Sequence, residues 1–338
     1  MSNTDAVGSR AVPQFTIRNL LPGLAAAGLL AGVGIAVRDW CGSPMVSPMV
    51  VAMVLGIAVR NSIGVPTALK PGLAISLRPI LRLGIVLLGF RLTLDQIGAV
   101  GLAGGGVIVA TLCATFLFTK ALGRVLGVDA RLAELIAAGT SVCGASAVLA
   151  TNTVTRGSDE DVAYAIACVT VFGSVSMLLF PFLAGPLGLS AHDFGLWAGA
   201  SIHEVAQVVG AGFAQGDTAG EFATIAKLSR VVLLAPLVLS LGFVARRRGG
   251  NAGTAPPKPW FVFGFVLVVA LNSAMAIPTE ALSVLNGVSG LMLTMALGAM
   301  GLETDIGKLR QEGLRPLILG AVAWVFVSGT ALVMIRSI

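Results

Sequence analysis

The chain carries groups able to bind or relay charge where nothing polar is expected: Gly199-Ala-Ser-Ile-His-Glu-Val-Ala-Gln207 lies inside an apolar, membrane-length stretch. Ionisable side chains are costly in hydrocarbon, so one found there is a functional-site hypothesis by default. Sixty residues earlier, Gly139-Thr-Ser-Val-Cys-Gly-Ala-Ser-Ala-Val148 matches Gly199 to Val208 at the Gly, the Ser, the β-branched residue after it and the final Val. Two interrupted helices are predicted, one around Ser141 and one around Ser201.

Ser201-Ile-His-Glu204 has the spacing of a capping box, in which the Ser side chain accepts from the amide at 204 and the Glu reaches back to the Ser amide. That places a helix start near the middle of a span. The earlier copy offers Thr140 or Ser141 as the cap but has Gly144 where the Glu would be, which leaves its first-turn amides free for an anion. A helix amino terminus adds a partial positive charge, the combination that broken transporter helices use on anionic substrates. Ser141 and Asn152 are expected on one face of the following half-helix, with Cys143 and Ser146 flanking it; ordinary polar packing is the competing reading. His203 and Gln207, four apart, are neighbours on one helical face, and His203 can carry a proton near neutral pH. Glu204 reads either as a capping partner or as a proton-coupling group. Lys227 and Arg230 either snorkel to the surface or turn inward to neutralise Glu204 or draw in substrate. Arg91 with Asp95, and Glu303 with Asp305, raise the same question.

The elements that position these groups are helices in a bilayer. With 56% apolar and 11% charged residues over 338 positions, the chain falls in the integral membrane class. Apolar runs predict eleven spans, at roughly 20–37, 46–60, 79–97, 99–119, 134–154, 162–183, 194–213, 222–245, 260–278, 282–301 and 316–335. Residues 1–18 read as a cytoplasmic tail, and 19–338 as one transmembrane domain with a basic loop, 246–259, between helical groups. The first span follows a basic start but is long for a signal peptide and leads into ten more spans, so it reads as an anchor.

The formal charge of +6 does not form a basic stripe, so nucleic acid is excluded as a partner; the cations fall between apolar runs, the positive-inside pattern. With a cytoplasmic amino terminus, Arg10, Arg18, Arg60, Lys70, Arg78, Arg82, Lys120, Arg124, Arg131, Arg246, Arg247, Arg248, Lys258, Lys308, Arg310 and Arg315 face inward, sixteen of 22. Arg38, Arg156 and Arg336 fall outside. Gly104-Gly-Gly106 reads as a helix-packing face. A second similarity, Gly89-Phe-Arg-Leu-Thr-Leu-Asp95 with Ala299-Met-Gly-Leu-Glu-Thr-Asp305, puts its copies at opposite faces, whereas the sixty-residue repeat comes out parallel.

Enzyme signatures are missing. His203-Glu204 is followed by Gln207 where a zinc peptidase needs its second His, and there is no phosphate loop or dinucleotide fingerprint. Cys41, Cys113, Cys143 and Cys168 lack paired metal-ligand spacing, and His192 reads as a solvated loop residue. No metal, cofactor or catalytic residue is therefore expected.

Gly139 to Ser146, Ala163-Tyr-Ala165, Trp197 to Val208 and Lys227-Leu-Ser-Arg230 resemble the YeiH-like family of bacterial inner-membrane proteins, described as candidate sulfate exporters. The resemblance covers residue 20 to the carboxyl terminus. It implies a multi-spanning inner-membrane carrier, distantly similar to bile acid and arsenite carriers whose broken helices cross near the substrate; it carries over no binding position. The combined expectation is an all-α secondary transporter that exports a small anion, such as sulfate, by alternating access. Ser141, Cys143, Gly144, Ser146, Asn152, Ser201, His203 and Gln207 bind the anion in this reading. Glu204, Lys227, Arg230, Arg91 and Asp95 supply charge or couple to a proton. The oligomeric state is left open, with a homodimer as one form; an anion channel and a membrane-embedded enzyme or partner-binding subunit are the rivals.

Overall fold

The computed structural model describes residues 17–42, 46–247, 260–275, 277–307 and 313–337. Most of the tail 1–18 and of the basic loop 246–259, with Lys308 and Arg310, lies outside them. Among the described residues the chain is all-helical. Seven helices are long and apolar enough to cross a membrane, and Pro48–Ser62 and Trp260–Ala274 are shorter apolar helices. The protein is an all-α polytopic membrane protein.

The order of elements is α1 (Ile17–Cys41), α2 (Pro48–Ser62), α3 (Lys70–Ile75), α4 (Leu81–Leu88), α5 (Leu94–Leu126), α6 (Ala130–Ser141), α7 (Ala145–Thr155) and α8 (Asp159–Leu183). Then come α9 (Ala191–Ser201), α10 (Val205–Ala214), α11 (Asp217–Val232), α12 (Leu234–Arg247), α13 (Trp260–Ala274), α14 (Thr279–Glu303) and α15 (Leu314–Ile335). The third span is one helical run, Thr67–Arg91, and not 79–97. It stops because Leu92 and Thr93 are extended and Thr93 caps α5, accepting from the Gln96 amide at 3.4 Å.

The central departure from expectation concerns 134–154 and 194–213, which do not cross. Arg131 Nη1 donates to the Arg156 carbonyl (3.2 Å), and Thr155 Oγ1 donates to Glu134 (2.6 Å). The start of α6 and the end of α7 are therefore at one level, and the two form a re-entrant hairpin, hairpin 1. Gly139 allows the arms to close, because a Cβ there would collide with Val148 and Val169. In α9 and α10, Gly195 and Gly212 both press on the Ala219 carbonyl of α11, so these arms also lie side by side, as hairpin 2.

α8 connects the mouths of the two hairpins by crossing the membrane, so they enter from opposite faces. Gln215 at the end of hairpin 2 donates to Pro181 near the end of α8 (2.6 Å), and Asn152 near the end of hairpin 1 accepts from the Gly157 amide just before α8 (2.7 Å). The sixty-residue repeat is thus inverted rather than parallel. Two turned-back segments leave the parity of the crossings unchanged, which is why every later span keeps its expected orientation. At about 1.5 Å per residue, α6 and α9 reach about 18 and 17 Å. End to end they match the roughly 30 Å hydrocarbon layer, so the tips meet near its middle.

The mouth of hairpin 1 carries Arg124, Arg131 and Arg156, with Arg315 against Gly127. By the positive-inside rule this face is cytoplasmic, and Arg156 belongs to it rather than outside. The 89–95 and 299–305 copies do lie at opposite faces: Arg91 pairs with Asp217 at the mouth of hairpin 2, and Asp305 pairs with Arg60 on the other side. Among the described residues Gly105 and Gly106 meet nothing that a Cβ would touch, so Gly104-Gly-Gly106 forms no packing face with them.

Candidate functional site

Each hairpin has an arm that enters, a three-residue break and an arm that returns. α6 ends at Ser141, whose Oγ donates to Ala137 O (2.7 Å), and α9 ends at Ser201, whose Oγ donates to Trp197 O. These are equivalent bonds, four residues back in each case, and they correct the expectation that either Ser caps the following helix. Both close the preceding one. The return arms are capped by what stands three residues on, Gly144 for α7 and Glu204 for α10.

A helix leaves its last four carbonyls without intrahelical donors, and with Ser141 and Ser201 fully buried these ends do not face solvent that could supply them. α11 does so instead. Lys227 Nζ donates to Val142 O and Ile202 O, both at 2.7 Å, and these carbonyls are sixty residues apart in sequence. The ammonium therefore sits on the pseudo-symmetry of the two breaks. Arg230, one turn on, donates Nε to Ser141 O (3.2 Å), Nη2 to Thr140 O (2.9 Å), and Nη1 to Gly199 O (3.2 Å) and Ile202 O (3.3 Å). Lys227 is 0% exposed and Arg230 1%. Of the two sequence readings, inward orientation holds and snorkelling does not. Their contacts, however, are carbonyls, and no ion pair to Glu204 is formed among the described residues. Bonds to charged donors contribute about 1.5–3 kcal/mol each, so this pair holds both tips in place.

Glu204 connects the tips in another way. Its Oε1 accepts from the Ala145 amide (2.7 Å), the first N–H of α7, so the amide expected to be open to an anion holds a carboxylate from the opposite hairpin. Gly144 has φ 65°, and a Cβ there would overlap that carboxylate, so only glycine fits both the backbone and the contact. The Glu204 amide donates to Gln207 Oε1 (3.1 Å), while Gln207 Nε2 donates to Thr170 O (3.0 Å) and Ser174 Oγ (3.3 Å) on α8, above the bare surface of Gly173.

Cys143, Gly144, Ser201, His203, Glu204 and Gln207 come together with Lys227 and Arg230 at the tips. His203 lies in the break and not on α10, and it is 1% exposed with Nδ1 unpartnered. Ser141 contributes its carbonyl rather than its hydroxyl. Ser146 is exposed on the first turn of α7. Asn152 lies at the far end of α7, bonded to Gly157, so it does not share a face with Ser141. Arg91 and Asp95 are at the mouth of hairpin 2, where Arg91 pairs with Asp217 (2.9 Å) and stacks over Phe213 (5.1 Å). His192 is in the first turn of α9, beside Asp193 and against Phe222. Sequence reasoning missed the tip carbonyls, Thr170 and Ser174. The equal spacing of Val142 and Ile202 from the two Ser residues was the signal for the first.

Lys227 and Arg230 face two helix carboxyl termini, each worth about half a negative charge, and Glu204; two helix amino termini oppose these. With the three side chains ionised, the sum is an excess of about one positive charge.

The family model described as Conserved hypothetical protein 698 matches residues 22–320. A UPF0324 membrane protein of Pseudomonas aeruginosa is 40% identical over 95% of both chains. The UPF0324 inner membrane protein YeiH of Escherichia coli is 37% identical over 94% of both, and the UPF0324 membrane protein TauZ of Paracoccus pantotrophus is 37% identical over 92% of this chain and 94% of its own. No solved structure matches. The chain belongs to the UPF0324 family of multi-pass inner-membrane proteins.

Proposed function

We propose that the protein is a secondary carrier, and not an enzyme, that moves a small anion across the inner membrane. The observation that carries this reading is the pair of buried cations, Lys227 and Arg230, where two oppositely inserted hairpins meet. Ionisable groups at mid-depth mark ion pathways, and an excess positive charge there attracts a small anion. Cys143, Gly144, Ser201, His203 and Gln207 surround the anion, with Ser146 at its approach. Hairpin 1 gates the cytoplasmic mouth and hairpin 2 the opposite one, which supplies the two gates that alternating access needs. Sulfate or another sulfur oxyanion is the first substrate to try, on the resemblance to the family described as candidate sulfate exporters.

Counterflow in proteoliposomes tests this. Vesicles loaded with unlabelled sulfate or methanesulfonate should draw in the labelled anion faster than empty ones, with saturation. Saturable exchange separates a carrier from a channel, and no exchange of any small anion would refute the reading.

A further inference from the structure

The two return arms present two helix amino termini, yet the tips hold one carboxylate. Glu204 caps its own arm by position, and its Oε1 holds the first amide of the other arm at 2.7 Å. In chemical terms this is an anion already seated at an anion position, but tethered. Glu204 and Ala145 are half-buried and Ser146 beside them is exposed, so the position lies at the surface of the packed helices rather than sealed within them. In the same break His203 is 1% exposed and its Nδ1 meets no partner, a hydrogen-bonding position left open when nothing but protein is present. A buried polar atom without a partner costs about 1–3 kcal/mol, which points to a ligand that completes it.

Resting on the anion-carrier reading, we propose that the transported anion takes the place of the Glu204 carboxylate at Ala145 N–H, and that Glu204 takes up one proton as it is displaced. The bond from Ala145 N–H to Oε1 breaks, a bond from the same N–H to the anion forms, and a proton from the aqueous side that admits the anion adds to the carboxylate. The charged and titratable groups around Glu204 are Lys227 and Arg230 on α11, Cys143 on the tip of hairpin 1 and His203 beside it. From α8, Ser174 and the Thr170 carbonyl face Gln207. With the two cations fixed on carbonyls, Glu204 is the group free to exchange its charge for that of the anion. For a monovalent anion the tips then carry the same net charge empty and loaded, so anion and proton move together.

The test uses the purified full-length protein and two probes, methanesulfonate and sulfate. In weakly buffered detergent solution, adding either probe to saturation should withdraw about one proton per protein, and Glu204→Gln should withdraw none. In proteoliposomes with the potential clamped at zero, one pH unit of gradient should raise accumulation of the probe about tenfold. Glu204→Gln should lose that response while slower exchange persists, and Glu204→Asp should restore part of it. Saturable exchange by the wild type with no proton uptake overturns this inference and leaves the carrier reading intact. No binding or exchange of either probe overturns both. Proton uptake by Glu204→Gln equal to wild type assigns the proton elsewhere and also overturns it.

Discussion

In hairpin 1 the return arm begins at Gly144, with φ 65° and no side chain; in hairpin 2 the equivalent position holds Glu204, with φ −98°. Up to that residue the hairpins are alike. Each entering arm ends in a Ser bonded four residues back, and each presents the carbonyl that follows to Lys227. The likeness lies in how the arms end and the difference in how they restart. Shared demands of the bilayer explain the first, because orphaned carbonyls at mid-depth need donors whichever face the arm enters from. The second is where one chain has divided two jobs between two copies: one tip offers an empty amide terminus, and the other brings the anion that fills it.

The largest effect should come from removing what both hairpins share. Arg230→Met removes the guanidinium bonds to Thr140, Ser141, Gly199 and Ile202, leaving Ile202 with Lys227 alone, and should cost more than about 3 kcal/mol. It should appear as loss of monodisperse protein in detergent and faster hydrogen exchange in both breaks together. Faster exchange in one hairpin alone would break the proposed equivalence.

Gly144→Ala attacks the difference. It combines strain of about 1–3 kcal/mol at a conformation suited to glycine with displacement of Glu204. Gly313→Ala, at φ 90° and with no described residue close to an added Cβ, supplies the strain alone. Thermal unfolding should place Gly144→Ala below Gly313→Ala. Gln207→Ala removes the acceptor of the Glu204 amide and should cost about 1–3 kcal/mol by the same measurement. Gly173→Ala, whose Cβ would overlap Gln207 Oε1, should reproduce much of that effect while leaving Glu204 and Gln207 themselves unchanged in the sequence. The smallest change should come from Ser141→Ala and Ser201→Ala, about 0.5–1.5 kcal/mol each. Their near equality would sharpen the comparison, because the two hydroxyls make equivalent bonds.

The repeat, the interruption at each copy and the nearness of His203, Glu204 and Gln207 were legible in the residues, whereas for Lys227 and Arg230 the residues left inward and snorkelling orientations equally open. The direction of the chain after each break was not. An apolar run of about twenty residues satisfies the length of one crossing helix and of two short antiparallel arms equally well. What separates them is tertiary: Gly139 against Val148, and Gly195 and Gly212 level on α11. The cap was misplaced for a local reason. Ser201-x-x-Glu204 and Glu204-x-x-Gln207 are overlapping spacings of the same motif, and Ile202, at ψ 144°, keeps the chain extended long enough to select the second. Glu204 reaching across to Ala145 could not be read from either hairpin separately, since the contact joins residues 59 apart.

Opposite insertion of the hairpins is the claim on which the site depends, and side-specific labelling tests it most directly. Single cysteines placed at Arg131, Ser158, His192 and Gln215, in a chain whose four native cysteines have been replaced, can be probed in intact cells with a membrane-impermeant maleimide. The account predicts protection at both 131 and 158 and labelling at both 192 and 215. If 131 and 158 label from opposite sides, or 192 and 215 do, the segments cross the membrane and the account is contradicted.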